Sequence, residues 1–194
     1  MTKAATPKSD TVKSVVSLKV TLQDLKPPVW RRILVSGSIT LGGLSEEILA
    51  GMGWIGGHLH LFTVDGRDYG ERGMLDDVAD EDQLTLNGVL QKGVKRFTYR
   101  YDMGDNWGHV IAIEKTQPAD PGQSYPRCIG GKRNCPPEDS GGVWGYAELL
   151  DILADPAHPE REERLGWIGE DDFDPEAFDI DTANNVLAAI AKRI

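Results

Sequence analysis

The first clear pattern in the chain is an alternation of apolar and polar residues, which occurs in two neighbouring stretches. In VVSLKVTLQDL (15–25), one side carries Val16, Leu18, Val20 and Leu22. In VWRRILVSG (29–37), one side carries Val29, Arg31, Ile33 and Val35. A period of two is typical of half-buried strands, and the prolines between the stretches break the ladder. We therefore predict a hairpin with a proline-bearing connection.

The period changes in SITLGGLSEEILAGMGW (38–54), where apolar residues recur at steps of three and four. This spacing predicts a helix from about 41 to 51. Gly51 and Gly53 are expected to end it, because glycine adopts the left-handed conformation that closes helices. HLHLFTVDGRDYG (58–70) then predicts a strand, an Asp-Gly turn and a short strand.

Two further strands are predicted around a tight turn, DMGDN. VKRFTYRYD (94–102) places aromatic residues on one face, and WGHVIAIEK (107–115) does the same for Trp107, His109, Ile111 and Ile113. We expect an acidic loop over 71–83 and a short helix or turn over 84–93.

The second half of the chain contains a Pro- and Gly-rich loop over 116–143, and loops of this length are usually functional or disordered. A helix is predicted over 143–155, followed by an acidic and aromatic stretch over 156–180. The chain ends in an amphipathic helix. Asp181 or Thr182 is expected to cap its N-terminus. Lys192 and Arg193 suit the negative end of the helix dipole at its C-terminus.

The order of these elements predicts an α+β fold with a mixed or antiparallel sheet, a β-β-α-β start and C-terminal helices. A β-grasp-like arrangement is one topology with such a start. We expect one domain over 15–194, which is long enough to bury its own core, and a poorly ordered leader over 1–14.

Charge and composition narrow the classes of function. The 194 residues carry a net charge of −10, with +5 on residues 1–40 and −15 on the rest. Such an acidic body is repelled by phosphate backbones, which argues against broad nucleic-acid binding. No apolar run is long enough for a membrane helix or resembles a signal peptide. Two cysteines are too few for a disulfide scaffold, which favours the cytoplasm.

The stretch YDMGDNWGH (101–109) combines several residue types that are common in active sites. Its aspartates and glycine suit a simple hairpin turn, which is one interpretation. The other is that Asp102 and His109 lie across the hairpin, where a carboxylate can orient an imidazole for acid–base chemistry or metal binding. Asp102, Asp105 and His109 are thus the candidate catalytic residues, and Trp107 is a candidate binding residue.

The segment CIGGKRNCPPED (128–139) has a C-x6-C spacing, wider than the cysteine pairs of zinc ribbons. With His109, or with His58 or His60, Cys128 and Cys135 could complete a zinc site. The alternative is that both cysteines are small buried side chains in a packed loop.

Two acidic motifs follow. The PPED motif presents Glu138 and Asp139 from a backbone that two prolines stiffen. These carboxylates could bind a cation, bind a basic partner, or cap the helix that starts near Val143. The segment GEDDFDPEAFDID (169–181) has seven acidic residues and no basic one. It predicts a solvated face or a docking surface for a basic protein.

Several long motifs together resemble the Ri-plasmid open-reading-frame-three-like family. They are LKVTLQDLKPPVWRRILV, GMGWIGGHLHLF, YRYDMGDNWGHVIAIE, YPRCIGGKRNCPPEDSGGVWGY and FDPEAFDIDTANNVL. The resemblance spans about residues 15–190 and implies an α+β fold. It implies no reaction, because the family is generally of unknown function, with members on plasmids and mobile elements.

The match also shows which motif residues this chain retains and which it changes. The family tends to have histidine where Ser45 stands and often glutamate where Gly108 stands, so an acid–base scheme on that glutamate fails here. The retained motif residues are Trp30, Arg31, Asp102, Asp105, Trp107, His109, Cys128, Cys135, Glu138 and Asp139.

From these observations we expect a binding or accessory domain, associated with plasmid or mobile-element biology. Its surface would join the 101–109 hairpin to the 125–142 loop, with Arg31, Trp107, Glu138 and Asp139 as binding residues. The alternatives are a metal-dependent or acid–base hydrolase at the hairpin and an interaction module with an acidic face.

Overall fold

A computed structural model describes residues 14–169 and 172–192. The predicted leader, except Ser14, lies outside these residues, as do Arg193 and part of the acidic segment 169–181. Ser14 already belongs to the first strand.

The strands are β1 Ser14–Leu22, β2 Trp30–Ser36, β3 His60–Val64, β4 Arg67–Gly70, β5 Ala79–Asp80, β6 Arg96–Tyr101, β7 Trp107–Pro118 and β8 Arg127–Lys132. The helices are α1 Leu41–Met52, α2 Leu86–Gln91, α3 Gly142–Ala154, α4 Arg161–Ile168 and α5 Ile180–Ile190.

All eight strands form one sheet in the order β5-β4-β3-β6-β7-β1-β2-β8. Every neighbouring pair is antiparallel except β4 and β5. The predicted α+β class, mixed sheet, β-β-α-β start and C-terminal helices are therefore confirmed. The proline-bearing hairpin is present as β1 and β2, with Leu18 opposite Ile33.

One face of the sheet is apolar and packs against α1. Its aromatic residues come from alternating positions of β3, β6 and β7, as a period of two requires. They include Phe62, Phe97, Tyr99, Tyr101 and Trp107. Helix α1 is joined to this layer by a hydrogen bond of 2.7 Å between the Ser45 and Tyr99 hydroxyls. The opposite face is more polar and carries the Arg32–Glu114 ion pair.

The predicted end of α1 is correct at Gly53 and wrong at Gly51. Gly53 takes φ = 87°, the left-handed conformation that glycine adopts without strain, and its N–H bonds back to the last turn. Gly51 continues the helix. Thr40 caps the other end through a bond from the Gly43 N–H.

Four local predictions are corrected by the structure. The loop over 116–143 contains β8, which pairs with β2 in spite of its two glycines. The stretch 156–180 contains α4. Asp179, rather than Asp181 or Thr182, caps α5. The PPED carboxylates do not cap α3, because its N-cap is Gly141, which has no side chain to form a cap hydrogen bond.

Among the helices of residues 14–169 and 172–192, none has the length and apolar character needed to cross a membrane.

Candidate functional site

The 101–109 hairpin touches the segment that follows the PPED motif. The Asp105 carboxylate accepts a hydrogen bond of 3.0 Å from the Gly141 N–H. Gly142 packs so closely that a Cβ there would collide with the Asp105 carbonyl, and its φ of 67° also requires glycine. The start of α3 is therefore built against the turn between β6 and β7.

Glu138 fixes the loop to a second place on the molecule. Its carboxylate accepts bonds from the Ile55 and Gly56 N–H groups at 2.6 and 3.1 Å. It also accepts a bond of 2.7 Å from the Tyr101 hydroxyl. Nearby, the Trp54 indole donates to the Pro136 carbonyl at 2.8 Å. The loop, the hairpin and the segment after α1 thus form one connected structure.

Between these segments lies a cluster of one imidazole and two carboxylates. His58 Nε2 is 3.1 Å from an Asp139 oxygen, and His58 Nδ1 is 3.7 Å from Asp102 Oδ2. One ligating atom from each residue lies within 4.8 Å of the other two. In the part of the chain that the structure describes, this is the one group of three or more His, Cys, Asp or Glu side chains with that spacing.

On the other side of the turn lies a groove of about 760 Å³. Its walls come from the β1–β2 connection, the hairpin turn, Arg133 and the first half of α3. Most of the lining is apolar, and the Trp144 indole at its edge is 88% exposed. This volume lies within the range of sites for small organic molecules.

Two polar atoms of the groove-lining residues are buried and make no hydrogen bond of normal geometry to any described residue. They are the Arg133 Nε and the Tyr146 hydroxyl, and the two residues are 6% and 2% exposed. Burial raises the pKa of Tyr146 to about 12, and the charge of Arg133 together with a hydrogen-bond interaction from its side chain opposes that shift. With a pKa this high, the hydroxyl is protonated at neutral pH.

Backbone strain is concentrated around the groove and the cluster. Asp24, Asn106 and Arg133 line the groove with φ of 61°, 58° and 68°. Asp102 and Asp139 of the cluster have φ of 57° and 60°. Asp and Asn tolerate this region better than most residues, but a long side chain such as that of Arg133 rarely adopts it. Strain of this kind tends to accumulate at functional sites.

The structure does not bring His109 to the groove or to the cluster. His109 is fully buried opposite Tyr99, and its ring stands edge-on to Trp54 at 5.5 Å. Burial lowers its pKa to about 4, so the ring is neutral. His58 occupies the place beside Asp102 that was expected for His109. Trp107 is also buried, at 1% exposure, and packs against Trp54.

The predicted binding residue Arg31 also lies inside the protein. Its guanidinium donates to the Gly51 and Lys132 carbonyls and to Cys135 Sγ, and it stacks on the Phe178 ring at 4.2 Å. The nearby cavity against α1 and α5 has a volume of about 210 Å³. Arg31 and Arg32 point to opposite faces of the sheet, as adjacent strand residues must.

Both cysteines are buried free thiols, and neither belongs to the three-residue cluster. Burial raises the pKa of the Cys135 thiol to about 11, so it is protonated at neutral pH. Its sulfur lies 3.3 Å from the Met52 sulfur. Since thiolates are the zinc-binding form, this environment favours a packing role for Cys135.

Part of the acidic segment packs against the protein itself. Glu176 pairs with Arg133, and Phe178 covers Arg31. Three groove residues were not predicted from the sequence as site residues: Arg133, Trp144 and Tyr146. The available signal was the run VWGY beside the PPED motif, which places an exposed and a buried aromatic residue two positions apart at the start of a helix.

Comparisons with known proteins agree with this architecture. The family described as "Plasmid pRiA4b ORF-3-like protein" matches residues 14–182. An uncharacterised protein, y4hQ, from Sinorhizobium fredii (strain NBRC 101917 / NGR234) is 40% identical over 185 residues, covering 94% of this chain and 95% of its own. The crystal structure of MM3350, a protein of unknown function from Methanosarcina mazei Go1, superposes with a TM-score of 0.81 at 41% identity. That match covers 88% of this chain and 98% of the other. The chain therefore belongs to the plasmid pRiA4b ORF-3-like family.

Proposed function

We propose that this protein is a soluble accessory domain that binds a small organic ligand in the groove beside α3. The observation that carries this proposal is that two residues lining the groove, Arg133 and Tyr146, each have a buried polar atom (Nε and the hydroxyl) with no hydrogen-bond partner of normal geometry among the described residues. Each such group costs about 1–3 kcal/mol when it is left without a partner. A ligand that accepts hydrogen bonds from both would recover that free energy on binding.

The chemistry of the groove favours a ligand with a carboxylate or similar acceptor and an apolar or aromatic body. The acceptor would meet Arg133 and Tyr146. The apolar body would pack against Leu150 and under the exposed Trp144 indole. Charge-assisted bonds from arginine are stronger than neutral ones, which favours an anionic acceptor.

The wider role we propose is accessory to plasmid or mobile-element biology, which the family name suggests. Direct binding to nucleic acid is disfavoured by the net charge of −10. Docking of a basic protein on the acidic segment has less support, since Glu176 and Phe178 are already engaged by arginines of this chain. A hydrolase would need a base other than His109, because that ring is enclosed.

The test is a ligand-observed NMR screen with a library of small aromatic and aliphatic carboxylates. We expect the NMR signal changes of the bound compounds to disappear when Trp144→Ala replaces the wild type. With Tyr146→Phe, their affinity should fall about tenfold, which corresponds to the loss of one good hydrogen bond. Trp167→Ala, at a half-exposed tryptophan of α4, is the matched control and should bind normally. Binding that survives both groove variants, or a library without a single binder, would contradict the proposal.

A further inference from the structure

We propose that His58, Asp102 and Asp139 form a binding site for one first-row divalent metal ion, separate from the groove. The three side chains come from the segment after α1, from the hairpin turn and from the PPED motif. They offer one nitrogen and two carboxylate oxygens, all within 4.8 Å of one another.

Asp102 provides the strongest reason to expect a cation. The residue is 9% exposed, yet no described residue donates a hydrogen bond to its Oδ2 atom, which faces His58. Its other oxygen, Oδ1, accepts bonds from the Gly104 and Asp105 N–H groups. Oδ2 therefore keeps its lone pairs free while Oδ1 fixes the carboxylate, and a carboxylate oxygen held in this way is available to coordinate a cation.

The charge around the cluster also favours a bound cation. Among the described residues, no lysine or arginine forms an ion pair with Asp102 or Asp139, and His58 is their only basic neighbour. Two carboxylates that share a single imidazole leave net negative charge whether that ring is neutral or protonated. A divalent cation would balance this charge.

The surrounding bonds hold the three backbone segments together without a metal. Asp102 is fixed by its turn, and the Glu138 contacts with Ile55, Gly56 and Tyr101 bring the segments of His58 and Asp139 together. The Asp139 side chain is 65% exposed, so it can move inward onto an ion. Preorganised ligands lose less conformational entropy on binding.

One imidazole with two carboxylates is a ligand set for Zn²⁺ or Mn²⁺ rather than for a soft metal. Three protein ligands leave at least one coordination position for water, as in open metal sites. The cysteines take no part in this site.

The experiment is isothermal titration of chelator-treated protein with zinc chloride and, separately, manganese chloride. We expect one ion per chain and at least a tenfold loss of affinity in Asp102→Asn and Asp139→Asn. Asparagine accepts the left-handed backbone of both positions, so these variants should fold. Asp65→Asn, at φ = 52° in the β3–β4 turn, is the matched control and should bind as the wild type does.

His58→Gln should also lose binding, and thermal melts of each variant check that it is folded. The proposal is overturned if the wild type binds neither metal stoichiometrically, or if both aspartate variants keep full affinity. It is also overturned if Cys128→Ser, and not Asp139→Asn, removes the bound ion.

Discussion

The Tyr101 hydroxyl donates a hydrogen bond of 2.7 Å to Glu138, 37 residues further along the chain. This contact joins the last residue of β6 to the proline-stiffened loop. The same carboxylate also accepts the two backbone N–H groups that follow Trp54. One side chain therefore holds together three segments that are far apart in the sequence.

Replacement of Glu138 with alanine should loosen all three segments. We expect a loss of about 1.5–3 kcal/mol in the free energy of unfolding, because three hydrogen bonds to a charged acceptor are lost, two of them from partly buried donors. Hydrogen exchange should rise first at the Ile55 and Gly56 amides. Glu148→Ala, at an exposed position of α3, is the control. Equal effects of the two substitutions would contradict this role of Glu138.

Tyr146→Phe should leave the stability of the protein unchanged or raise it by about 1 kcal/mol. Its buried hydroxyl makes no hydrogen bond of normal geometry to any described residue, so its removal relieves a desolvation cost. Tyr99→Phe is the matched comparison, because that buried hydroxyl bonds to Ser45 at 2.7 Å and its loss should cost about 1–2 kcal/mol. Chemical denaturation of both variants measures the difference, and a destabilised Tyr146→Phe would show that the hydroxyl has a structural partner.

Glu47 should make the protein less stable as pH rises. Burial in α1, with a smaller contribution from Glu46, raises the pKa of this carboxyl from 4.5 to about 8. The folded state therefore holds a proton that the unfolded chain releases, and this contribution falls between about pH 4.5 and pH 8. The slope is about 1.4 kcal/mol per pH unit from this one group.

Glu47→Gln should remove that slope and give a more stable protein at pH 8. The measurement is urea denaturation of wild type and variant between pH 5 and 8, with Glu148→Gln, at an exposed position of α3, as the control. A constant difference between wild type and Glu47→Gln across this range would show that the carboxyl is ionised in the folded protein.

His109 should make the protein less stable as pH falls, which is opposite to the effect of Glu47. Because burial lowers its pKa from 6.5 to about 4, the unfolded chain takes up a proton that the folded protein refuses. The stability due to neutral His109 is present above pH 6.5 and is lost as pH falls towards 4. Its imidazole should give the NMR shifts of a neutral ring at pH 5.5.

His109→Phe keeps an aromatic ring in the same cluster without the titration. Compared with this variant, the wild type should lose about 1.4 kcal/mol per pH unit between pH 6.5 and 4.5. His158→Asn, at an intermediate surface position before α4, is the control. Comparison with each variant separates the slopes of His109 and Glu47, which oppose one another in this range.

The local pattern of apolar and polar residues was sufficient to predict the helices and strands whose periodicity is strong. The alternation in 15–25 and 94–102 gave β1 and β6 because one face of each strand is buried against helices. The 3.6-residue spacing gave α1. β8 was missed since its glycines have low strand propensity, and its pairing with β2 rather than its own residues makes it a strand. The short helix α4, whose first four residues are all charged, lacks the apolar stripe that predicts a helix.

By itself, the sequence determined the α+β class, the hairpin pairs and the family, because these follow from local periodicity and from motifs that are contiguous in the chain. Only the tertiary structure decided which polar residues meet. It buried His109, which shares the inward side of β7 with Trp107 and Ile111, and it placed His58 beside Asp102. The physical reason is that a strand's alternation fixes which side faces the core, whereas the neighbours across that face come from segments of unrelated sequence position.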